Sequence, residues 1–213
     1  MQGVILAAGS GLRMRPMSDD RPKPLIMVGG RPLIEYVASQ FPNELSELIM
    51  VIGYRGEMIR DFCGRRFLGR PVRYVQQDER RGTYHALVQA KNLFEEGERF
   101  FVLYGSTIHA REDFQACLYH PRAALAGDKG EFTGLFLFDR HIFDFPADFM
   151  VAKREYVLPS AISKMQHAHP VVVLRPNFCY PVAVPEDVRS LDAALLENTQ
   201  IQSLIMGRTL WQF

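Results

Sequence analysis

The segment Gly3-Val-Ile-Leu-Ala-Ala8 and the loop that follows it, Gly9-Ser-Gly-Leu-Arg13, decide the fold. A short, uninterrupted apolar run of this kind is typical of a strand buried on both faces, as in a parallel sheet. Similar runs predict further strands at Leu48–Gly53, Val72–Gln76, Phe100–Tyr104, Gly134–Phe138 and Val171–Leu174.

Helical spacing, with proline or acidic residues at some of the starts, predicts helices at Pro32–Phe41, Glu57–Phe62, Thr83–Phe94, Leu158–Met165 and Pro185–Glu197. Strands and helices therefore alternate along most of the chain. This alternation predicts an α/β fold: a three-layer, Rossmann-like sandwich with a mainly parallel sheet and helices on both faces. In such a fold ligands bind where the strands end.

The composition favours a cytoplasmic, globular protein. The 213 residues, 47% of them hydrophobic, suit a single domain over residues 1–213 with a sizeable core. A formal net charge of +1 gives no electrostatic case for binding nucleic acid or an anionic membrane surface. No apolar run approaches the roughly 20 residues of a membrane helix. Three widely separated cysteines, Cys63, Cys117 and Cys179, fit a reducing cytoplasm.

The loop after the first strand has the residues that a phosphate site needs. Gly9 and Gly11 let backbone N–H groups approach a phosphate closely, and Arg13 adds positive charge. Lys23 lies between two prolines, whose fixed φ angles would hold its side chain in one direction. Together these residues predict a site for a phosphorylated ligand.

Two common phosphate-binding motifs do not match. The loop lacks the Gly-Lys-Ser/Thr ending of a Walker loop. Met14 stands where a dinucleotide fingerprint has its third small residue, and Leu48–Gly53 is followed by Tyr54 and Arg55 rather than by an acidic ribose ligand. A dinucleotide-binding oxidoreductase is therefore disfavoured.

Three stretches together point to a family. Leu6-Ala-Ala-Gly-Ser-Gly-Leu-Arg13, Pro22-Lys-Pro-Leu25 and Gly30-Arg-Pro-Leu-Ile-Glu-Tyr36 resemble the signature of the sugar-1-phosphate nucleotidyltransferases, or NDP-sugar pyrophosphorylases. The likeness covers most of the chain in order, continuing at Gly53-Tyr54, Gln77, Gly82-Thr83, Gly105, Gly134–Asp139 and Pro185-Glu-Asp187. It implies the family's nucleotidyltransferase fold. It also implies transfer of a nucleoside monophosphate from an NTP to a phosphorylated small molecule, above all a sugar 1-phosphate, with release of pyrophosphate.

The resemblance also implies roles for individual residues. Arg13 would neutralise the departing pyrophosphate, and Lys23 would contact the reacting phosphates. The implied nucleotide-binding residues are Ala8, Gly9, Ser10, Gly11, Gln77, Gly82 and Thr83. The implied residues on the side of the second substrate are Gly105, Ser106 and Gly134.

The chain departs from the family pattern at the metal. The family uses Mg²⁺ held by two aspartates, and Ser106 and Pro181 stand at the two aligned positions. The usual ligands of the implied Mg²⁺ are therefore missing, since a hydroxyl is a weak ligand for this ion and proline offers no side-chain oxygen. The family's Glu-Lys-Pro strand, which contacts the sugar phosphate, is also missing between Ser106 and Gly134.

Three interpretations stay open. The first is a nucleotidyltransferase with a substitute metal ligand, for which Glu112, Asp113 and Asp78 are candidates. The second is a nucleotide- or nucleotide-sugar-binding homologue without turnover, acting as a regulatory or partner subunit. The third is a structural remnant that acts through its surface. The presence of Gly9, Gly11, Arg13 and Lys23 together favours the first interpretation.

Other residues have simpler interpretations. His85 either contacts substrate or makes a local hydrogen bond at a helix start. His109, beside the aligned metal position, is either a replacement metal ligand or a surface residue, and we expect the latter. Arg80 and Arg81 follow Gln77 and could guide an anionic substrate. An aromatic run is expected to pack mainly in the core and is also a candidate homo-oligomer contact; it comprises Phe132, Phe136, Phe138, Phe143, Phe145 and Phe149.

Overall fold

The computed structural model describes residues 1–152, 154–197 and 201–203. Its strands are β1 (Gln2–Ala7), β2 (Met27–Val28), β3 (Arg31–Pro32), β4 (Glu47–Ile52), β5 (Arg66–Phe67), β6 (Arg70–Gln76), β7 (Phe100–Tyr104), β8 (Thr107–His109), β9 (Ala123–Ala126), β10 (Phe132–Phe138), β11 (Phe149–Met150), β12 (Glu155–Tyr156), β13 (Val172–Leu174) and β14 (Cys179–Pro181). Its α-helices are α1 (Leu33–Ser39), α2 (Gly56–Cys63), α3 (Thr83–Gln89), α4 (Arg111–Leu118), α5 (Leu158–Met165) and α6 (Pro185–Glu197). Within these described ranges, no helix has the length and apolar character needed to cross a membrane.

Eight strands form one sheet in the order β13-β9-β10-β7-β1-β4-β6-β5. The strand β1 lies inside this sheet and pairs in parallel with both β4 and β7. The pairs β4–β6 and β9–β13 are also parallel. Only β10, which is antiparallel to β7 and β9, and the short β5 reverse the direction. The predicted mainly parallel sheet is thus confirmed, and every apolar run predicted as a strand lies in it.

Hydrophobic cores cover both faces of the sheet. Successive side chains of a strand point to opposite faces, and accordingly Val4 and Ile5 of β1 belong to different cores. The core that contains Ile5 also contains Leu33 of α1. The core that contains Val4 also contains Leu87 of α3 and Leu158 of α5. The three-layer α/β architecture is therefore confirmed.

The predicted helix at Thr83–Phe94 is shorter in the structure. Here α3 ends at Gln89, and a 3₁₀ turn at Lys91–Leu93 follows. The ring of Phe94 then stacks on that of Phe100 with 3.8 Å between centroids. This packing turns the chain toward β7 before a longer helix can form.

Three elements between Tyr104 and Phe132 have no counterpart in the sequence prediction, namely β8, α4 and β9. The strand β9 consists of alanines and one leucine, which favour a helix by intrinsic propensity. It lies between β10 and β13 with all its residues buried, so tertiary packing overrides that propensity. The helix α4 begins with charged residues, and few of its side chains are buried.

The aromatic run packs mainly in the core, as expected. Phe136 and Phe138 are fully buried and Phe143 is nearly so, whereas Phe149 on β11 is 47% exposed. Next to Phe149, Met150 and Val151 are also exposed. The homo-oligomer contact stays a prediction, and Phe149 is the part of the run that reaches the surface most.

Candidate active site

A cavity of about 680 Å³ opens where β1, β6 and β7 end. Because these strands are parallel, their carboxyl ends lie on one edge of the sheet, and the loops that follow them converge there. Most of the residues that the sequence predicts for the site line this cavity: Ala8, Gly9, Ser10, Gly11, Arg13, Lys23, Gln77, Gly82, Thr83, Gly105 and Ser106. The structure thus brings together residues that lie up to about one hundred positions apart in the chain.

Gly134 does not line the cavity. Its backbone has a φ of 97°, which residues with a side chain rarely adopt. A Cβ at this position would lie 2.5 Å from Cδ2 of Tyr104. Tyr104 does line the cavity, and burial raises the pKa of its phenol to about 12. Gly134 thus lies against Tyr104, outside the described lining of the cavity, and its role as a substrate-side contact stays a prediction.

The glycine loop has a fixed shape. Gly11 adopts a left-handed conformation, with φ 63° and ψ 33°, at the start of a 3₁₀ turn over Leu12–Met14. Its carbonyl accepts hydrogen bonds from Met14 N and from Ser18 Oγ, both at 2.8 Å. A Cβ on Gly9, by contrast, would meet nothing within 4 Å, so this position faces open space. Hydrogen bonds to the Gly11 carbonyl therefore hold the loop in place, while Gly9 stays open to the cavity.

Lys23 begins a 3₁₀ turn with proline on both sides, as its sequence context suggested. Its amine lies at the cavity without an ion-pair partner among the described residues. Burial, together with the smaller effect of the nearby Arg13 cation, lowers the pKa of Lys23 to about 8, and Asp187 opposes the shift. The amine therefore lies where an incoming anion would stabilise its charged form.

The segment after β6 forms a second wall of the cavity. Gln77 is only 4% exposed, and its Nε2 donates to the carbonyl of Gly82 at 3.2 Å and lies 3.0 Å from Nδ1 of His85. The His85 ring also lies 3.4 Å from Gln89 Nε2. His85 thus makes the local hydrogen bonds of the simpler interpretation, and through them it orients Gln77.

A hairpin from the second half of the chain completes this wall. Tyr156 N donates to the carbonyl of Arg81 at 2.7 Å, and a Cβ on Gly82 would lie 2.6 Å from the Tyr156 carbonyl oxygen. Glu155, the residue before Tyr156, thereby reaches the cavity. Glu155 was missed by the sequence reasoning. No motif surrounds it, and its place depends on the pairing of two two-residue strands, β11 and β12.

Arg80 lies at the cavity, whereas the Arg81 side chain pairs with Glu79 at 2.5 Å. The Arg80 guanidinium is 5.9 Å from the centre of the Tyr54 ring. Of the two neighbouring arginines, Arg80 is thus the one that lies where an anionic ligand could meet it. The expectation that this pair could guide an anionic substrate stays a prediction, now narrowed to Arg80.

The donor atoms of the cavity do not fit a carboxylate-held Mg²⁺. Among the described residues that line it, Glu155 is the only carboxylate, and Ser106 offers a hydroxyl. Neither Pro181 nor any of the three candidate substitute ligands lines it. In the described part of the chain, no group of three or more His, Cys, Asp and Glu side chains could hold a metal ion.

One of those substitutes, Asp113, has a structural role. It is 1% exposed, and its oxygens accept hydrogen bonds from Ala110 N at 3.1 Å and from Asn177 N and Nδ2 at 2.6 and 2.9 Å. The prediction that His109 lies on the surface is wrong. His109 is also 1% exposed, and its ring lies 3.8 Å from the Asp113 carboxylate. The antiparallel pairing of β8 with β14 buries it.

Comparison with known proteins agrees with this geometry. The sequence model of the nucleotidyl transferase family matches residues 2–133, which is more than half of the chain, and the chain belongs to that family. Among curated proteins, it is 38% identical to the bifunctional protein GlmU of Methanococcus maripaludis over 109 residues, which are 51% of this chain and 25% of GlmU. It is 35% identical over 109 residues to the UTP–glucose-1-phosphate uridylyltransferase AglF of Haloferax volcanii, which is 51% of this chain and 44% of AglF. The matches thus span less than half of either relative.

A solved structure shares the fold over nearly the whole chain. It is a Bacillus anthracis protein assigned as a glucose-1-phosphate thymidylyltransferase, in complex with a sucrose. The TM-score is 0.73 at 17% identity, and the match covers 95% of this chain and 99% of the other. At this identity the likeness establishes the fold.

Proposed function

We propose that this protein transfers a nucleoside monophosphate from an NTP to a phosphorylated small molecule, a sugar 1-phosphate, and releases pyrophosphate. The observation that carries the proposal is the convergence of Gly9, Arg13, Lys23 and Gln77 on one cavity at the carboxyl edge of a mainly parallel sheet. Membership of the nucleotidyl transferase family supports the same reaction.

The glycine loop would take the nucleotide's phosphates. In the reaction, a phosphate oxygen of the acceptor forms a bond to the α-phosphorus, the bond from that phosphorus to the bridging α–β oxygen breaks, and pyrophosphate leaves with the electron pair. Arg13 and Lys23 lie beside the loop and would stabilise the negative charge that gathers on the leaving pyrophosphate. Such a reaction needs positioning and charge stabilisation rather than a covalent intermediate.

The base of the nucleotide would lie against Gln77 and Gly82. The Nε2 atom of Gln77 is within hydrogen-bond distance of the Gly82 carbonyl and of His85 Nδ1, so its carboxamide oxygen would be the atom left to accept from a donor on the base. The placement of the Gln77 amide by two partners gives this contact a fixed direction. Every nucleobase has an N–H donor that can meet such an oxygen, so the choice of base is left to the assay below.

The acceptor would lie beside Tyr104 and Ser106, where Glu155 is near enough to Tyr104 to affect its pKa. A carboxylate such as Glu155 accepts hydrogen bonds from hydroxyl groups, and such bonds to a charged acceptor are stronger than neutral ones. The relative AglF is a UTP–glucose-1-phosphate uridylyltransferase. These two compounds are therefore the first substrate pair to test.

The test is a pyrophosphate-release assay. Each of ATP, CTP, GTP, UTP and dTTP is paired with a panel of sugar 1-phosphates, with Mg²⁺ present and absent. We expect release of pyrophosphate with one base and one acceptor, and loss of that release in Lys23→Ala. Lys129→Ala, which removes an exposed lysine in the turn at residues 127–130, is the matched control. No release with any pair, or equal rates in Lys23→Ala and Lys129→Ala, would refute the proposal.

A further inference from the structure

The charges around the cavity are one-sided. Three basic side chains, Arg13, Lys23 and Arg80, line it, and Glu155 is the one carboxylate among its described lining residues. A ligand that enters this cavity therefore meets an excess of positive charge. Polyphosphates are the biological ligands that match several cations within one concave site.

The cations of the cavity are unpaired, whereas nearby arginines are paired. Arg15 lies 3.0 Å from an oxygen of Asp19, and Arg21 lies 3.0 Å from an oxygen of Asp20. Arg81 is paired in the same way, as described above. In the part of the chain that the structure describes, no such carboxylate partner lies within 4.0 Å of Arg13, Lys23 or Arg80. All three cations that line the cavity are thus without a carboxylate partner among the described residues.

The acidic groups close to the cavity do not compensate for this charge. Asp187 lies near enough to Lys23 to affect its pKa. However, its Oδ2 already accepts hydrogen bonds from Ala183 N at 2.6 Å and Val184 N at 2.9 Å at the start of α6. At the end of β7, Ser106 offers a neutral hydroxyl. A hard divalent cation needs carboxylate oxygens that this cavity does not assemble.

We propose that the cavity binds the phosphates of its nucleotide as a free polyanion, with Lys23, Arg13 and Arg80 supplying the neutralising charge that a divalent cation would otherwise provide. This inference rests on the proposed function, because it concerns the same site. It differs from that proposal in stating what neutralises the ligand.

The state of Lys23 supports this arrangement. An amine whose pKa is lowered to about 8 by burial and by a neighbouring cation is partly neutral in the free protein at mildly alkaline pH. A bound polyanion opposes both effects and raises that pKa. At about pH 8.5 the Lys23 amine should therefore take up a proton on binding, so the parent chain should take up more protons than a variant without that amine.

The test uses inorganic pyrophosphate as the probe and isothermal titration calorimetry as the measurement. The full chain is titrated in EDTA and in excess MgCl₂, at about pH 8.5, in two buffers of different ionisation enthalpy so that proton uptake can be calculated. We expect binding in EDTA to be at least as tight as in MgCl₂. Because pyrophosphate itself can release a proton on binding, the uptake by Lys23 is taken as the difference in proton exchange between the parent chain and Lys23→Ala. Binding that needs MgCl₂, or equal proton exchange in the two proteins, would overturn the inference.

Variants identify the residues responsible. Lys23→Ala, Arg13→Ala and Arg80→Ala should each weaken binding in EDTA by about tenfold or more, since each removes a charge-assisted contact. Lys129→Ala and Arg65→Ala, exposed positions outside the cavity, remove the same charge and should change binding less than about twofold. Thermal unfolding of each variant confirms that it is folded. Equal losses in cavity and control variants would mean a general charge effect and would also overturn the inference.

The outcomes separate this inference from the proposed function. Metal-independent pyrophosphate binding without turnover of any NTP would support the inference and refute the transferase. Turnover that requires Mg²⁺, together with pyrophosphate binding that requires Mg²⁺, would do the reverse.

Discussion

The hydroxyl oxygen of Thr83 accepts a hydrogen bond from the backbone N–H of Leu158 at 2.9 Å. The two residues lie 75 positions apart and begin α3 and α5, whose buried side chains share one core. Together with the bond from Tyr156 N to the Arg81 carbonyl, this contact fixes the hairpin that carries Glu155 to the segment that carries Gln77. The two segments that form this wall of the cavity are thus joined by contacts that no local pattern specifies.

Replacing Thr83 with valine should destabilise the fold. Valine keeps the shape of threonine but leaves the Leu158 N–H without its acceptor, which costs about 1–3 kcal/mol when the group is shielded from water. Thr83→Ser keeps the oxygen and should cost less. Urea unfolding of the two variants measures the difference, and a valine variant as stable as the serine variant would contradict the role assigned to this bond.

Replacing Gly134 with alanine should be more costly than replacing a glycine in open space. The added methyl meets the Tyr104 ring at 2.5 Å and the backbone is held at a φ of 97°. Overpacking of this kind typically costs about 1–3 kcal/mol, and the unfavourable backbone conformation adds to that cost.

Gly130→Ala is the control for the backbone term. Gly130 also has a positive φ, of 80°, but a Cβ there would meet nothing within 4 Å. The difference in unfolding free energy between the two variants therefore isolates the contact with Tyr104. Equal losses would mean that the Tyr104 ring moves aside without cost.

The sequence predicts the parts of the fold that depend on local pattern. Apolar runs such as Gly3–Ala8 are strands because a strand buried on both faces needs apolar residues throughout. The glycine loop and the Lys23 segment are recognisable because their chemistry depends on backbone freedom and charge, which are properties of residue type. These features account for one side of the cavity.

The opposite side depends on tertiary packing and could not be predicted in the same way. The strand β9 has a sequence that favours helix and becomes a strand because it lies between two others. Glu155 reaches the cavity through a hairpin of two short strands. Gly134 lies against the ring of Tyr104, which belongs to the neighbouring strand β7. Each of these facts requires knowledge of which distant segments are adjacent.

The lowered pKa of Lys23 should make the stability of the fold depend on pH in a defined direction. Its pKa is about 8 in the folded chain against an ordinary value of 10.5, so between these values the unfolded chain binds more protons. Stability contributed by this group therefore rises as the pH increases from about 8 to about 10, because less proton release is needed on folding.

Comparison with Lys23→Met removes the contribution of tyrosines and cysteines that titrate in the same range. We expect the methionine variant to be more stable than the parent chain below pH 8 by about 1–3 kcal/mol, with the gap closing toward pH 10. Chemical unfolding at several pH values measures the gap. A gap that is constant with pH would mean that the amine is not shielded from water.

Replacing Gln77 should alter the choice of base more than the binding of phosphate. Under the proposed function, Gln77→Leu removes the acceptor that faces the base and should reduce the preference between the best and worst NTP by about tenfold or more. Its affinity for pyrophosphate should stay within about twofold, because the phosphates lie at the glycine loop. An equal loss of pyrophosphate affinity would place Gln77 at the phosphates rather than at the base.

Asp113 should stabilise the fold without taking part in the site. Its oxygens accept hydrogen bonds from Ala110 and from Asn177, so they hold α4 to the segment that leads into β14. Burial alone would raise the pKa of this carboxyl, but the nearby His109 and the hydrogen bonds from Asn177 outweigh it and lower the pKa below 3.8. Both oxygens of Asp113 accept hydrogen bonds, whereas an asparagine has one oxygen only. Its NH₂ group would face backbone N–H donors in place of the second oxygen.

We therefore expect Asp113→Asn to cost about 2–4 kcal/mol at neutral pH, as the loss of a buried, hydrogen-bonded charge does. The neighbouring Glu112 is exposed, and Glu112→Gln, which removes the same charge, should change stability by less than about 0.5 kcal/mol. The gap between the parent chain and Asp113→Asn should be fully present above pH 3.8 and should shrink as the pH falls through the lowered pKa, because the parent carboxyl then becomes neutral. Unfolding curves at neutral and at acidic pH measure this gap. An Asp113→Asn variant as stable as Glu112→Gln would show that the fold does not need the buried carboxylate. The structural role assigned to Asp113 would then be wrong, and its charge would need a functional explanation.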